Sequence, residues 1–148
     1  MTRIADAPRN PTGTAARYLP PAARILLGIT FLVVGLNGFL NFLPQPSTPL
    51  PAGGLAFLGA LIASGYMIPL VSATQVIVAV LLLSNRFVPL ALVLIAPVIV
   101  NIFAFHVFLA PSGLIIAVVV VVLEVYLAWT YRGVYRPMLA ACVDAAKP

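Results

Sequence analysis

Charged residues are scarce in this chain. They make up 7% of its 148 residues, whereas hydrophobic residues make up 63%. Soluble domains carry about 25% charged residues. A chain so poor in charge cannot cover a water-exposed surface, so a soluble globular protein is excluded and lipid must provide much of the solvent. The length suits one domain.

Cysteine, histidine and acidic residues are also rare, and each shortage removes a class of function. The one cysteine, Cys142, excludes an intramolecular disulfide and a Cys-x-x-Cys redox pair. The one histidine, His106, has no cysteine or acid near it in the sequence and falls short of a metal site. Phosphate, dinucleotide and nucleophile motifs are absent. The sequence therefore predicts no catalytic residue, no metal and no evident cofactor, and leaves open whether the protein is an enzyme.

Cationic residues outnumber acidic ones, which gives a formal net charge of +5. They are scattered near the ends of apolar runs, whereas nucleic-acid binding requires a clustered basic patch. The predicted partner is therefore the lipid bilayer, not a nucleic acid.

Long apolar runs predict four transmembrane helices. The first, Ala23–Leu43, would span about 30 Å at ~1.5 Å per residue, which matches the hydrocarbon core. It is longer than the apolar region of a signal peptide, about 7–15 residues, and no Ala-x-Ala site follows it. The other predicted spans are Pro69–Ser84 extended by residues 66–68, Phe87–Leu109, and Leu114–Tyr131.

Two segments separate the first span from the second. Pro44–Pro51 contains four prolines, which exclude a helix and favour an extended strap at the membrane surface. Gly53–Gly65 is apolar but too short to cross a bilayer, since a span needs about 20 residues. We predict a short helix there on the outer side. One long kinked helix through residue 84 is the alternative.

The cationic residues sort to one side of this topology. If the N terminus is inside and the chain crosses four times, all eight are cytoplasmic: Arg3, Arg9, Arg17, Arg24, Arg86, Arg132, Arg136 and Lys147. The predicted fold is therefore all-α, an integral membrane up-down four-helix bundle with an additional short outer-side helix. Residues 1–22 form a flexible cytoplasmic tail, 23–138 the transmembrane domain, and 139–148 a second cytoplasmic tail.

Glu124 is the one acid inside a predicted span. A charged acid at mid-membrane costs about 2.5–3.5 kcal/mol on insertion scales. Helical spacing places it on one face with Ala117, Val121 and Ala128, whose small size indicates the bundle interior. It is either a proton carrier or headgroup-binding residue, or a neutral acid hydrogen-bonded across helices or paired with Arg24.

Amide side chains form a second candidate cluster. Asn37 and Asn41 share a helix face, and Asn37, Gln75 and Asn101 are predicted at similar depth, about 10 Å below the outer surface. They would line an outward-opening cavity or hold helices together by hydrogen bonds. His106, near the outer end of the third span, would orient a ligand or be a satisfied interfacial residue.

The order and spacing of several segments resemble the DoxX-like membrane proteins of bacteria. The resemblance covers about residues 24–138 and rests on Arg24–Gly28 (RILLG), Gly35–Pro44 (GLNGFLNFLP), Ser64–Tyr66 (SGY), Arg86–Leu92 (RFVPLAL), Ala96–Ile102 (APVIVNI) followed by His106, and Tyr135–Pro137 (YRP). It implies a four-helix bundle in the bacterial inner membrane, and for some relatives a link with a thiosulfate:quinone oxidoreductase or with redox partners. An acid often stands in the family where this chain has Gln75, so a charge is missing from the cavity.

Three functions compete on this basis. The first is a non-catalytic membrane subunit, or a binder of a quinone-like or lipid-like ligand or of a partner protein, with Asn37, Asn41, Gln75, Asn101, His106 and Glu124 as candidate ligand-binding residues. The second is a component of a quinone-linked oxidoreductase whose redox cofactor comes from a partner subunit. The third is a small proton-coupled transporter centred on Glu124. Each is compatible with a homo-oligomer.

Overall fold

A computed structural model describes residues 11–44 and 49–135, and every regular element in this part of the chain is helical. The elements are α1 (Pro11–Leu40), α2 (Ala52–Ala63), α3 (Met67–Leu83), α4 (Val88–Phe108), a 3₁₀ turn (Pro111–Gly113), α5 (Leu114–Thr130) and α6 (Arg132–Tyr135). The predictions for residues 1–10, for residues 45–48 of the proline-rich strap, and for residues 136–148 with Cys142 lie outside the described residues.

Helix α1 begins earlier and ends earlier than the sequence indicates. It starts at Pro11, not at Ala23, and continues through Pro20 and Pro21. Proline removes a backbone donor, but alanines on both sides of the pair favour a helix. The helix ends at Leu40 because Asn41 takes the left-handed conformation (φ 49°), which asparagine tolerates better than most residues.

The predicted short helix at 53–65 is confirmed as α2, and it is separate from α3. The two helix axes meet at 89° across a break of a few residues. Gly65 within this break has φ 75°, a left-handed conformation that glycine adopts without strain. The single kinked helix through residue 84 is therefore not observed.

The remaining helices lie close to their predicted bounds, within one or two residues at each end. Three helical segments are long and apolar enough to cross a membrane, namely Arg17–Leu40, Val88–Phe108 and Pro111–Thr130, and α2 with α3 would form a fourth as a bent pair. Large apolar side chains are exposed on all of these helices, for example Leu26, Leu70, Val100 and Ile116. An apolar exterior of this extent belongs in lipid, so the chain is a membrane protein.

The closest helix packing is between α1 and α3, and it depends on glycine. A Cβ atom added to Gly35 would lie 2.9 Å from Val76 Cγ2 and 3.0 Å from both Gln75 Cβ and the Ser72 carbonyl oxygen. A Cβ on Gly38 would overlap the Ser72 hydroxyl, and one on Gly28 would lie 2.9 Å from Leu83 Cγ. Small residues allow helix backbones to approach in lipid, where apolar burial alone does not drive association.

The helices α1, α3, α4 and α5 share one apolar core. Its largest fully buried side chains are Phe31, Leu27, Leu82, Leu92, Ile95, Leu127 and Val78. Each of the four helices contributes at least one of these side chains.

Contacts at each end show that α1 runs antiparallel to α3, and α4 antiparallel to α5. At one end the Arg24 guanidinium donates to the Leu82 carbonyl oxygen, and the Tyr135 hydroxyl donates to the Pro89 carbonyl oxygen (2.9 Å). We call this the turn end, because the α3–α4 turn lies there. At the other end, the α2 end, α2 lies against the last turn of α4, where a Cβ on Gly53 would reach 3.1 Å from Leu109 Cδ2.

The α1–α3 contact predicts that Gly35→Ala destabilises the protein. The added methyl group meets a backbone oxygen and a fixed Cβ, so overpacking should cost about 1–3 kcal/mol. Thermal unfolding in detergent, followed by circular dichroism, measures the loss.

Gly59→Ala is the matched control for this change. Gly59 is also helical but has nothing within 4 Å of its added Cβ. It should be neutral or stabilising by up to about 1 kcal/mol, the usual gain of alanine over glycine in a helix. Equal melting temperatures for the two variants would contradict the close packing at Gly35.

Candidate functional site

A groove of about 380 Å³ lies between α2, α3 and α4, and we call it the α2 groove. Its volume falls within the range of about 300–1,000 Å³ that is usual for ligand sites. Ten apolar side chains and two polar ones line it: Phe57, Leu58, Leu61, Met67, Ile68, Val71, Pro97, Val98, Ile102 and Phe105, with Asn101 and His106.

Volume alone does not single out this groove. A crevice of about 400 Å³ lies between α1 and α5 and is lined by aliphatic side chains and Tyr126. The α2 groove differs because three helices form its walls and because it brings an amide and an imidazole to an otherwise apolar surface. A few polar groups in an apolar cleft are typical of small-molecule sites.

The bend between α2 and α3 creates the groove. Because α2 turns away from the α3 axis by 89°, it lies across the end of α4. This arrangement leaves a space that α2, α3 and α4 enclose. The aromatic rings of Phe57 and Phe105 meet there, with centroids 5.7 Å apart. Gly53 helps α2 to approach α4, since a Cβ there would be 3.1 Å from Leu109 Cδ2.

Asn101 is the polar residue deepest in the α2 groove. It lies seven residues before the end of α4, which places it about 10 Å from that end at 1.5 Å per residue. Its side chain is exposed, and none of the side-chain hydrogen bonds found among the described residues involves it. An amide in a membrane-spanning helix without an internal partner is available to a ligand or to a neighbouring molecule.

His106 is held in one orientation at the α2 end of the groove. Its Nδ1–H donates to the Ile102 carbonyl oxygen at 2.8 Å, and its ring meets Phe105 edge to face with centroids 5.3 Å apart. A Cβ on Gly113 would overlap the Cδ2–Nε2 edge of the imidazole, so only glycine leaves room for the ring. Because Nδ1 hydrogen-bonds a backbone carbonyl oxygen, Nε2 is the ring nitrogen that remains for another partner.

The structure does not bring the other predicted amides into this groove. Asn37 Oδ1 accepts a hydrogen bond from the Leu43 N–H at 2.7 Å and so stabilises the end of α1. Asn41 is exposed in its left-handed conformation at the same helix end, and Gln75 is buried against α1. Asn37, Gln75 and Asn101 therefore do not line one cavity, because the end of α1 uses Asn37 and the close contact between α1 and α3 buries Gln75.

Glu124 also lies away from the groove, on the interior face of α5. It is 8% exposed and shares this buried face with Ala117, as the small-residue pattern indicates. Arg24, its predicted partner, donates to the Leu82 carbonyl oxygen instead. Within the described part of the chain, Glu124 Oε2 has no hydrogen-bond partner.

The sequence predicts an amide-lined cavity that opens on the outer side, where the short helix is also predicted, but it does not predict most of the walls of the α2 groove. Phe57 and Phe105 read as ordinary apolar residues of two different helices, and only the bend at Gly65 brings them together. Nothing in the sequence indicates that Gly113 lies beside His106, and only the tertiary structure shows this contact.

The described residues contain no group of three or more histidine, cysteine, aspartate or glutamate side chains placed to hold a metal ion. The chemistry that the α2 groove itself offers is apolar burial with hydrogen bonding by one amide and one imidazole. Comparisons with models of known families, with curated proteins and with solved structures gave no significant match.

The contact between Gly113 and His106 predicts that Gly113→Ala displaces the imidazole. Gly113 has φ −95°, which alanine adopts without strain, so the clash with the ring is the expected effect. Since His106 is the only histidine, its two nitrogen signals can be followed by ¹⁵N NMR of histidine-labelled protein. The Nδ1 signal should shift as the bond to the Ile102 carbonyl is lost.

Gly133→Ala is the control, because nothing lies within 4 Å of a Cβ at that position. It should leave both histidine signals unchanged. An unchanged spectrum for Gly113→Ala as well would show that Gly113 does not hold the ring in place.

Proposed function

We propose that this protein is a membrane-embedded binder of an amphiphilic, quinone-like or lipid-like molecule that occupies the α2 groove. The observation that carries this proposal is Asn101, an exposed amide with no hydrogen-bond partner among the described residues, which shares with His106 a groove whose other walls are apolar. The apolar walls would accept a chain or ring, while Asn101 and His106 would hydrogen-bond a head group near the α2 end.

The wider proposal keeps the sequence-based expectations. The chain is a DoxX-like protein of the bacterial inner membrane, a four-helix bundle whose fourth span is the bent pair α2–α3, with both termini cytoplasmic. The antiparallel contacts of α1, α3, α4 and α5 support the bundle. The exposed Trp129 with the Arg132 guanidinium 4.9 Å above its ring is typical of a membrane–water interface and supports a cytoplasmic turn end.

The other two functions stay predictions. A quinone-linked oxidoreductase component would use the same groove, with redox cofactors supplied by partner subunits. A proton-coupled transporter would depend on Glu124.

Removing the groove's polar group should release its ligand. Asn101→Leu keeps similar bulk but loses the amide, so retention should fall by up to about tenfold, since a net hydrogen bond contributes about 0.5–1.5 kcal/mol. Val98→Trp should fill the groove and abolish retention. The measurement is mass spectrometry of organic extracts from gently purified full-length protein.

Val119→Trp provides the control, because Val119 is exposed on α5 and does not line the α2 groove. It should retain the ligand as the unaltered protein does. A quinone in the extract would identify a quinone-like ligand, and an enriched phospholipid or glycolipid a lipid-like one. The same extract from all three variants would contradict binding in the α2 groove.

The native Cys142 reports on the orientation without any substitution, because it is the only cysteine. A membrane-impermeant maleimide should label it only after intact cells are permeabilised. Ser112→Cys in a Cys142→Ser background places a thiol at the exposed turn of the α2 end and should be labelled in intact cells. The reverse pattern would overturn the proposed orientation.

A further inference from the structure

Glu124 is a buried acid that the proposed function does not use. It is 8% exposed, and its face of α5 packs into the shared core together with Ala117, Val120 and Leu127. Its Oε2 atom is inaccessible and has no hydrogen-bond partner among the described residues. The side chain is therefore both enclosed and unsatisfied on one oxygen.

The cationic and titratable groups around α5 do not neutralise this acid. On α1, the Arg24 guanidinium donates to the Leu82 carbonyl oxygen. On α4, His106 lies at the α2 end and donates to the Ile102 carbonyl oxygen. Tyr126, on α5 itself, lines the crevice toward α1. At the turn end, Arg17, Tyr18 and Arg86 are exposed. The Arg132 guanidinium donates to the Trp129 carbonyl oxygen. The remaining groups there are Tyr131 and Tyr135.

Tyr135 is a group whose pKa responds to the charge of Glu124. Burial raises the pKa of the Tyr135 phenol, and the charges of Glu124 and Tyr131 raise it further. The Tyr135 hydroxyl is held at the turn end by its 2.9 Å hydrogen bond to the Pro89 carbonyl oxygen.

This hydrogen bond ties the four-residue helix α6 to the start of α4. A crevice of about 290 Å³ lies beside it, lined by Phe87, Pro89, Leu90, Val93 and Val134 together with Tyr135, and Glu124 is not among its lining residues. Glu124 lies six residues before the end of α5, or about 9 Å from the turn end at 1.5 Å per residue.

A carboxylate buried without a partner is strongly disfavoured, and such groups are normally neutralised by a proton or by a bound cation. A bound metal cation needs several oxygen ligands, whereas a proton needs only the carboxyl itself. Within the described residues, Glu124 belongs to no cluster of acidic or histidine side chains.

We propose that Glu124 is a proton-binding site that exchanges its proton with water at the turn end, where Tyr135 ties α6 to the start of α4. This site is separate from the α2 groove, because Glu124 does not line that groove. A failure of ligand binding in the α2 groove would therefore leave this proposal unaffected.

The test is labelling of the full-length protein in liposomes with dicyclohexylcarbodiimide, a lipid-soluble reagent that modifies the acid form of carboxyl groups. The acid's proton moves to a nitrogen of the reagent and the carboxyl oxygen bonds to its central carbon, so a carboxylate without a proton does not react. The chain has three acids, Asp6, Glu124 and Asp144, so peptide mass spectrometry assigns each adduct.

Glu124 should be labelled in the unaltered protein, and the labelling rate should fall by about tenfold per pH unit above the midpoint of its titration. Glu124→Gln should lose this adduct and keep those of the other two acids. Absence of labelling at Glu124 between about pH 5 and pH 9, or labelling that does not change with pH, would overturn the proposal.

The route is tested with a water-soluble carbodiimide added from the turn-end side. Tyr135→Phe keeps the ring but loses the hydrogen bond to the Pro89 carbonyl oxygen, so labelling of Glu124 should become several-fold faster. Tyr126→Phe is the matched control, because Tyr126 lines a different crevice, and it should label at the original rate. Equal rates for the two variants would overturn the assignment of the route to Tyr135.

Discussion

The close approach of α1 and α3 is the contact on which the other parts of this structure depend. In lipid, apolar side chains gain little by leaving their surroundings, so helices associate mainly through tight packing and hydrogen bonds. Gly35 and Gly38 supply that packing by letting α1 touch the backbone and side chain of Ser72. Gly28 does the same near the turn end, so the two helices meet along most of their length.

This pairing places the remaining helices. With α3 held against α1, Phe31 and Leu27 reach the core to which Leu92 and Ile95 of α4 also belong. α5 completes the core with Leu127, which is fully buried. Since α3 is fixed along its length, the chain that precedes it must turn at Gly65, and α2 is left lying across the end of α4. The α2 groove is the space that this turn leaves open.

Polar residues consequently occupy two separate regions. Asn101 and His106 lie along the α2 groove, where an exposed amide and an oriented imidazole face an apolar space. Glu124 lies inside the core, about 9 Å from the turn end at 1.5 Å per residue. A ligand in the groove and a proton on the acid would therefore bind at separate places, and each can be altered without touching the other.

Composition and local periodicity are enough to predict the membrane class, the approximate bounds of the spans, the short helix before α3 and the interior position of Glu124. These features depend on residues that are close together in the chain. The packing of the helices was needed to show that Asn37 stabilises a helix end, that Gln75 is buried at the α1–α3 contact, and that Asn101 alone of the three amides reaches a groove. Equal depth in the membrane does not fix which way a side chain points around the helix axis. That rotation depends on which helix packs against which, and here glycines and one bend set it.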